Sequence, residues 1–195
     1  MGAKAAMVVF GDARALRHGG DPDRSVAEAV IRALHPDRVV EPVDDGDLAD
    51  DIYPPDGHAY VAVLPDATIV CDQDLATVPA PEHVLDYADN RPLTVFAQHS
   101  GSGWLAYAEW TADGTLLRSH SAESQDSGEL AESIALHLFG FTAESSPDLL
   151  MHGFRVIRPD QAEREAEMAA IVAQMAAQGP QRLTLGPDGS WVPRA

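Results

Sequence analysis

Apolar and polar positions alternate with period two along residues 104–111. Trp104, Ala106, Ala108 and Trp110 fall on one side of an extended chain, and Leu105, Tyr107, Glu109 and Thr111 on the other. The run before it, residues 93–99, is rich in β-branched and aromatic side chains and reads as a strand. Ser100-Gly-Ser-Gly103 breaks it, and Asp113-Gly114 is a hairpin signal because glycine tolerates the positive φ of a primed turn. Residues 115–121 then form the return strand. A two-residue turn at Asp113-Gly114 sets Trp110 opposite Leu117, Glu109 opposite Arg118 and Tyr107 opposite His120. A three-residue loop with a bulge would shift this pairing by one.

Short apolar runs predict further strands at residues 4–10, 38–43, 59–64 and 68–71, the last two joined as a hairpin across Pro65-Asp66. The period changes to helical after Asp21-Pro22, a cap followed by a proline at the first helical position. Val26, Val30, Ala33 and Leu34 would form its stripe, and His35-Pro36 stops it. Residues 44–57 read as an acidic, proline-bearing loop, and residues 79–90 as a loop with at most a short helix from Pro81. A second helix runs to Phe139 with Leu130, Ile134 and Leu138 on one face, His137 beside them, and Gly140 as its cap. The longest helix spans residues 159–178, between Pro159 and Gly179-Pro180. A small hairpin across residues 186–189 closes the chain.

These elements predict an α+β protein with a mostly antiparallel central sheet and about three flanking helices. The strand–helix–strand spacing at the N-terminus also allows a βαβ unit. Ser145-Ser-Pro147 suggests a junction, with a core domain over residues 1–146. A C-terminal extension over residues 147–195 (a strand, the long helix and a small hairpin) would pack on the core or on a partner subunit.

Charge narrows the function. Among 195 residues, 31 are acidic and 13 are lysine or arginine, a formal net charge of −18. Nucleic-acid and anionic-membrane binding need a basic patch and are not expected. A basic partner is compatible, as is an acidic decoy or immunity protein. Lys4 is the single lysine, so a P-loop is absent and a Schiff base could form only there. Cys71 is the single cysteine, in an apolar strand, and reads as a packed thiol. No apolar run reaches the ~18 residues of a membrane span, and the start lacks a signal-peptide pattern, so a cytoplasmic location is expected.

Candidate chemistry is sparse, and no cofactor or metal motif is present. Gly101-x-Gly103 follows a strand but precedes a second strand, whereas a dinucleotide fingerprint needs a helix N-terminus for the pyrophosphate. Ser100 and Ser102 lack the Gly-x-Ser-x-Gly elbow. His99, Glu109, His120 and Tyr107 lie on paired or neighbouring strands; if they converge, the two histidines with a carboxylate would suit a metal, or general acid–base work. The acidic stretch from Asp44 to Asp51 lacks the ligand alternation of a calcium loop and reads as solvated. Met168, Ile171, Val172 and Met175 recur at helical spacing, as a core face or a seam for a protein partner or a second subunit.

A combination of motifs carries a resemblance: Met1-Gly-Ala-Lys4 leading into a strand, Asp45-Gly-Asp-Leu48 before Pro54-Pro-Asp-Gly57, Phe96-Ala-Gln-His-Ser100 with Trp104-Leu-Ala-Tyr-Ala108, and Leu138-Phe-Gly-Phe141. Over residues 1–141 the chain resembles an uncharacterised family of actinobacterial proteins, a domain of unknown function. The resemblance implies no activity and no site residue. Three readings stand: a non-catalytic cytosolic interaction or accessory protein, a small hydrolase using His99, Glu109 and His120, and an acidic decoy.

Overall fold

The computed structural model describes residues 3–14, 23–124, 127–178, 183–185 and 191–193. Its first strand, β1 (Lys4–Gly11), is apolar on both sides and lies in the interior of the sheet. Strands covered on two faces read as continuous apolar runs. The remaining strands are β2 (Val39–Pro42), β3 (Gly46–Asp47), β4 (His58–Val63), β5 (Ala67–Cys71), β6 (Leu93–His99), β7 (Trp104–Trp110), β8 (Leu116–Glu123) and β9 (Leu150–Ile157). They form one nine-stranded sheet ordered β2-β9-β4-β5-β1-β6-β7-β8, with β3 also on β9. The pairings β9–β4, β4–β5, β5–β1, β1–β6, β6–β7 and β7–β8 are all antiparallel. The expected α+β class and antiparallel sheet are therefore present.

Three expectations need correction. The N-terminal βαβ unit does not form, because β5, β4 and β9 separate β1 from β2. The described residues hold five helices, not about three: α1 (Arg24–Leu34), α2 (Leu48–Asp51), α3 (Glu82–Ala88), α4 (Ser127–Leu138) and α5 (Pro159–Gln178). The two additions are short: α2 is one turn in a stretch read as a loop, and α3 is about two turns where at most a short helix from Pro81 was expected. Finally, β9 is a sheet member between β2 and β4. The chain divides into a unit over Met1–Val156 and a second over Ile157–Ala195. The second unit contains α5 and the antiparallel pair β10 (Leu183–Leu185) and β11 (Trp191–Pro193).

Alternation along the strands builds two cores. Ala6, Val8, Phe10, Val61, Val70 and Val95 face α1 and α3. Ala5, Met7, Val9, Ile69, Cys71 and Phe96 face α2 and α4. The rings of Phe96 and Phe139 meet edge-on at 5.7 Å, and Phe139 stacks on Phe141. Such contacts add about 0.5–1.5 kcal/mol beyond burial.

The start of α1 and part of the inward faces of α1 and α4 differ from the sequence reading. Asp23 caps α1, its carboxylate accepting from the Ser25 N–H at 2.8 Å; the expected cap, Asp21, lies outside the described residues. The buried stripe is Ala27, Val30, Ile31 and Leu34, while Val26 and Ala33 are exposed. In α4 the inward residues are Ala131, Ala135 and Leu138, with Leu130 exposed. Small alanines thus set the close face, and the larger Leu130 points outward. Gly140 follows with φ +76°, the left-handed cap expected there.

Candidate functional site

The hairpin β7–β8 has the expected register along most of its length. Tyr107 lies opposite His120, and Glu109 opposite Arg118. The turn is longer than two residues. Thr111 and Thr115 close it by a backbone hydrogen bond, and Gly114 takes φ +78°. This sets Trp110 opposite Leu116 and not Leu117; an irregularity between Glu109 and Trp110 absorbs the extra residue and restores the pairing beyond it.

Three of the four predicted site residues share one face. The rings of Tyr107 and His120 lie 5.9 Å apart, and Arg118 Nε donates to Glu109 Oε2. That bond raises the Arg118 guanidinium above its ordinary pKa. The carboxylate is therefore engaged with a permanent cation. His137 from α4 and the buried Thr94 from β6 line the same surface with Glu109 and Arg118, around a hollow of about 360 Å³. The sequence pointed to His137 only as a neighbour of an apolar stripe, and not to Thr94.

His99 is not brought to them. It pairs with Trp104 across the tight turn 100–103, and paired residues share a face. Trp104 packs with the α1–α3 core, opposite the Tyr107 side. There His99 meets the ring of Tyr53 at 6.2 Å, and its Nδ1 lies 3.2 Å from Ser102 Oγ. Lys4 sits over the other contact, 5.2 Å from the Tyr53 ring centre. The sheet itself thus separates His99 from Glu109 and His120.

The Ser/Gly stretch serves a turn: the N–H groups of Ser102 and Gly103 donate to the carbonyls of His99 and Ser100, and β7, not a helix, follows. Part of the acidic stretch is structural and not merely solvated. Asp47 caps α2 by accepting from the Asp50 N–H at 2.9 Å. Asp45 pairs with Arg24 and lies 2.9 Å from His152 Nδ1. Gly46 and Gly153 pass so close to their neighbours that a Cβ on Gly153 would lie 2.2 Å from the Asp44 carbonyl oxygen.

Two buried groups were outside the predicted site. Cys71 is fully buried, and burial drives its thiol pKa upward, with Asp51 and Asp72 adding to the rise. His35 and Asp72 form a buried pair with Nε2 2.9 Å from Oδ2. They are 37 positions apart in the chain, so no local spacing marks them. Among the described residues no group of three or more His, Cys, Asp or Glu could hold a metal ion. No described helix is long and apolar enough to cross a membrane.

Architecture and site define an α+β protein built on one large antiparallel sheet, with Tyr107, Glu109 and His120 on one polar hairpin face and His99 on the other side of the sheet. The chain belongs to a family of unknown function, DUF6928, whose model matches residues 5–130. The match runs from β1 into α4 and stops before β9 and α5. No curated protein and no solved structure matches the chain.

Proposed function

We propose that this protein is a non-catalytic, cytosolic interaction protein whose long helix α5 pairs with α5 of a second copy. The observation that carries the reading is the C-terminal half of that helix. Residues 168–178 bear no charged side chain in a chain of net charge −18. Within them Met168, Ile171 and Val172 are exposed, by 59%, 43% and 60%. Met175 continues the spacing, and its side chain lies outside the described residues. An uncharged stretch is where two acidic copies can meet without opposing like charges.

The magnitude is modest. Full burial of one such side chain is worth about 1.5–3 kcal/mol, and these are already partly covered. Three from each copy make a contact that is small beside an obligate interface. A weak dimer is expected, with a Kd in the micromolar to millimolar range. The hydrolase reading loses its support because His99 faces away from Glu109 and His120.

A cysteine placed on the seam tests the pairing. The native Cys71 is buried and does not compete. Val172→Cys should form a disulfide-linked dimer on mild oxidation, while a cysteine at the exposed Val26 should not. Equal cross-linking from both positions would count against the seam.

A further inference from the structure

We infer that the groove at the C-terminal end of α1 is a binding site for a small polyhydroxylated anion of the sugar-phosphate or sugar-acid class. The groove, of about 530 Å³, lies among the end of α1, the turn after β5 and the first turn of α3. It goes beyond the self-association reading and uses none of its residues.

His35 provides the first half of the argument. It is 8% exposed, and its Nε2 is held by Asp72 Oδ2. The other carboxylate oxygen accepts from the N–H groups of Asp74 and Leu75, at 2.7 and 3.2 Å. Asp72 is thus an acceptor on both oxygens, which places a hydrogen on Nε2 and leaves Nδ1 as the ring nitrogen available to a ligand. Nδ1 has no partner among the described residues. No fully buried side-chain N or O atom among them lacks one, so Nδ1 opens on the groove that His35 lines.

Arg38 provides the second half. It is half-buried in the same groove, and its guanidinium has no hydrogen bond or ion pair among the described residues. That is unusual where acidic residues outnumber basic ones 31 to 13. Asp37, Asp74 and His83 complete the polar lining, and Leu34 and Leu75 the apolar part. One guanidinium fork suits one phosphate or carboxylate. Two carboxylates accept hydroxyl hydrogens, an imidazole nitrogen can hydrogen-bond a hydroxyl, and leucines suit a C–H face. A bare anion would meet Asp37 and Asp74 without compensation. A neutral polyol would leave Arg38 unused, and among the described residues no group of side chains here could hold a metal ion.

The test uses the full chain with glucose 6-phosphate, glucose and inorganic phosphate as probes. Binding is read from imidazole ¹⁵N shifts and by calorimetry. Glucose 6-phosphate should saturate with a Kd of ~1 mM or tighter and move the His35 and His83 signals. Glucose and phosphate should each bind at least tenfold more weakly. Arg38→Ala should abolish the preference for glucose 6-phosphate over glucose. His83→Ala, at an exposed position, should weaken binding while leaving the unfolding temperature unchanged. Unmoved His35 and His83 signals at ~20 mM of every probe, phosphate binding as tightly as glucose 6-phosphate, or unchanged binding in both variants would each overturn the assignment.

Discussion

Raising the pH should destabilise the fold through Cys71. Its thiol is fully buried between the sheet and the α2–α4 layer, and its pKa stands above the ordinary 9.0. The unfolded chain releases the thiol proton near that ordinary value, while the folded chain retains it. Between the two values the folded state binds more protons, so stability is lost as pH rises. Below pH ~9 the thiol is protonated in both states and contributes no slope. From pH 8 to pH 10 the loss from this one group is about 1.4 kcal/mol. Tyr60 adds a loss in the same direction above its ordinary value of 10.0, because desolvation and Asp51 raise its pKa. With a urea slope of about 2 kcal/mol/M, the thiol moves the midpoint by about 0.7 M.

The assay is urea unfolding of wild type and Cys71→Ala at pH 8, 9 and 10. The alanine variant is less stable throughout, so the difference between the two pH slopes is the readout. The wild type should fall by about 1.4 kcal/mol more than the variant over this range. Parallel curves would refute the buried-thiol account. So would rapid, stoichiometric reaction of native Cys71 with a thiol reagent under conditions where the fold persists.

Two further substitutions test the sheet. Gly153→Ala should destabilise by more than ~2 kcal/mol in thermal or chemical unfolding, since the added carbon would sit 2.2 Å from a backbone oxygen; near-wild-type stability would show that β9 and the Asp44 backbone are not packed this closely. Glu109→Gln should cost only about 0.2–1 kcal/mol, as expected of a cross-strand pair whose arginine is substantially exposed; a loss of several kcal/mol in the same assay would assign the pair a larger role in the fold.

Much of the fold was legible because its signals are local. The boundaries of β6 and α5 follow from residue type, glycine and proline. The pairs Tyr107–His120 and Glu109–Arg118 follow from counting back from Asp113-Gly114. The bulge beside Trp110 was not legible, because Leu116 and Leu117 are both apolar and either can take the facing position. The inward faces of α1 and α4 were read in part: Val30, Leu34 and Leu138 are buried as expected and Ile134 packs on the core, while Val26, Ala33 and Leu130 are exposed. In the structure Ala27, Ala131 and Ala135 are buried where backbones approach closely.

Long-range placement explains the remaining differences. β9 joins β4 with Arg155 opposite His58, a separation in sequence that no local pattern encodes. His35 and Asp72 belong to different elements and meet only in the fold. The position of His99 was accessible by parity. Once residues 100–103 form a tight turn, His99 must share the face of Trp104 and so cannot reach the Tyr107 side. Three of the four predicted site residues thus share a face, around the Arg118–Glu109 ion pair.

The most direct measurement on the interaction reading is sedimentation velocity of the full chain across concentration, alongside Val172→Glu. The account predicts a monomer–dimer equilibrium with a Kd in the micromolar to millimolar range, and a variant that stays monomeric with an unchanged unfolding temperature. A wild-type chain that remains monomeric up to ~1 mM, or a dimer that persists unchanged in Val172→Glu, would contradict it.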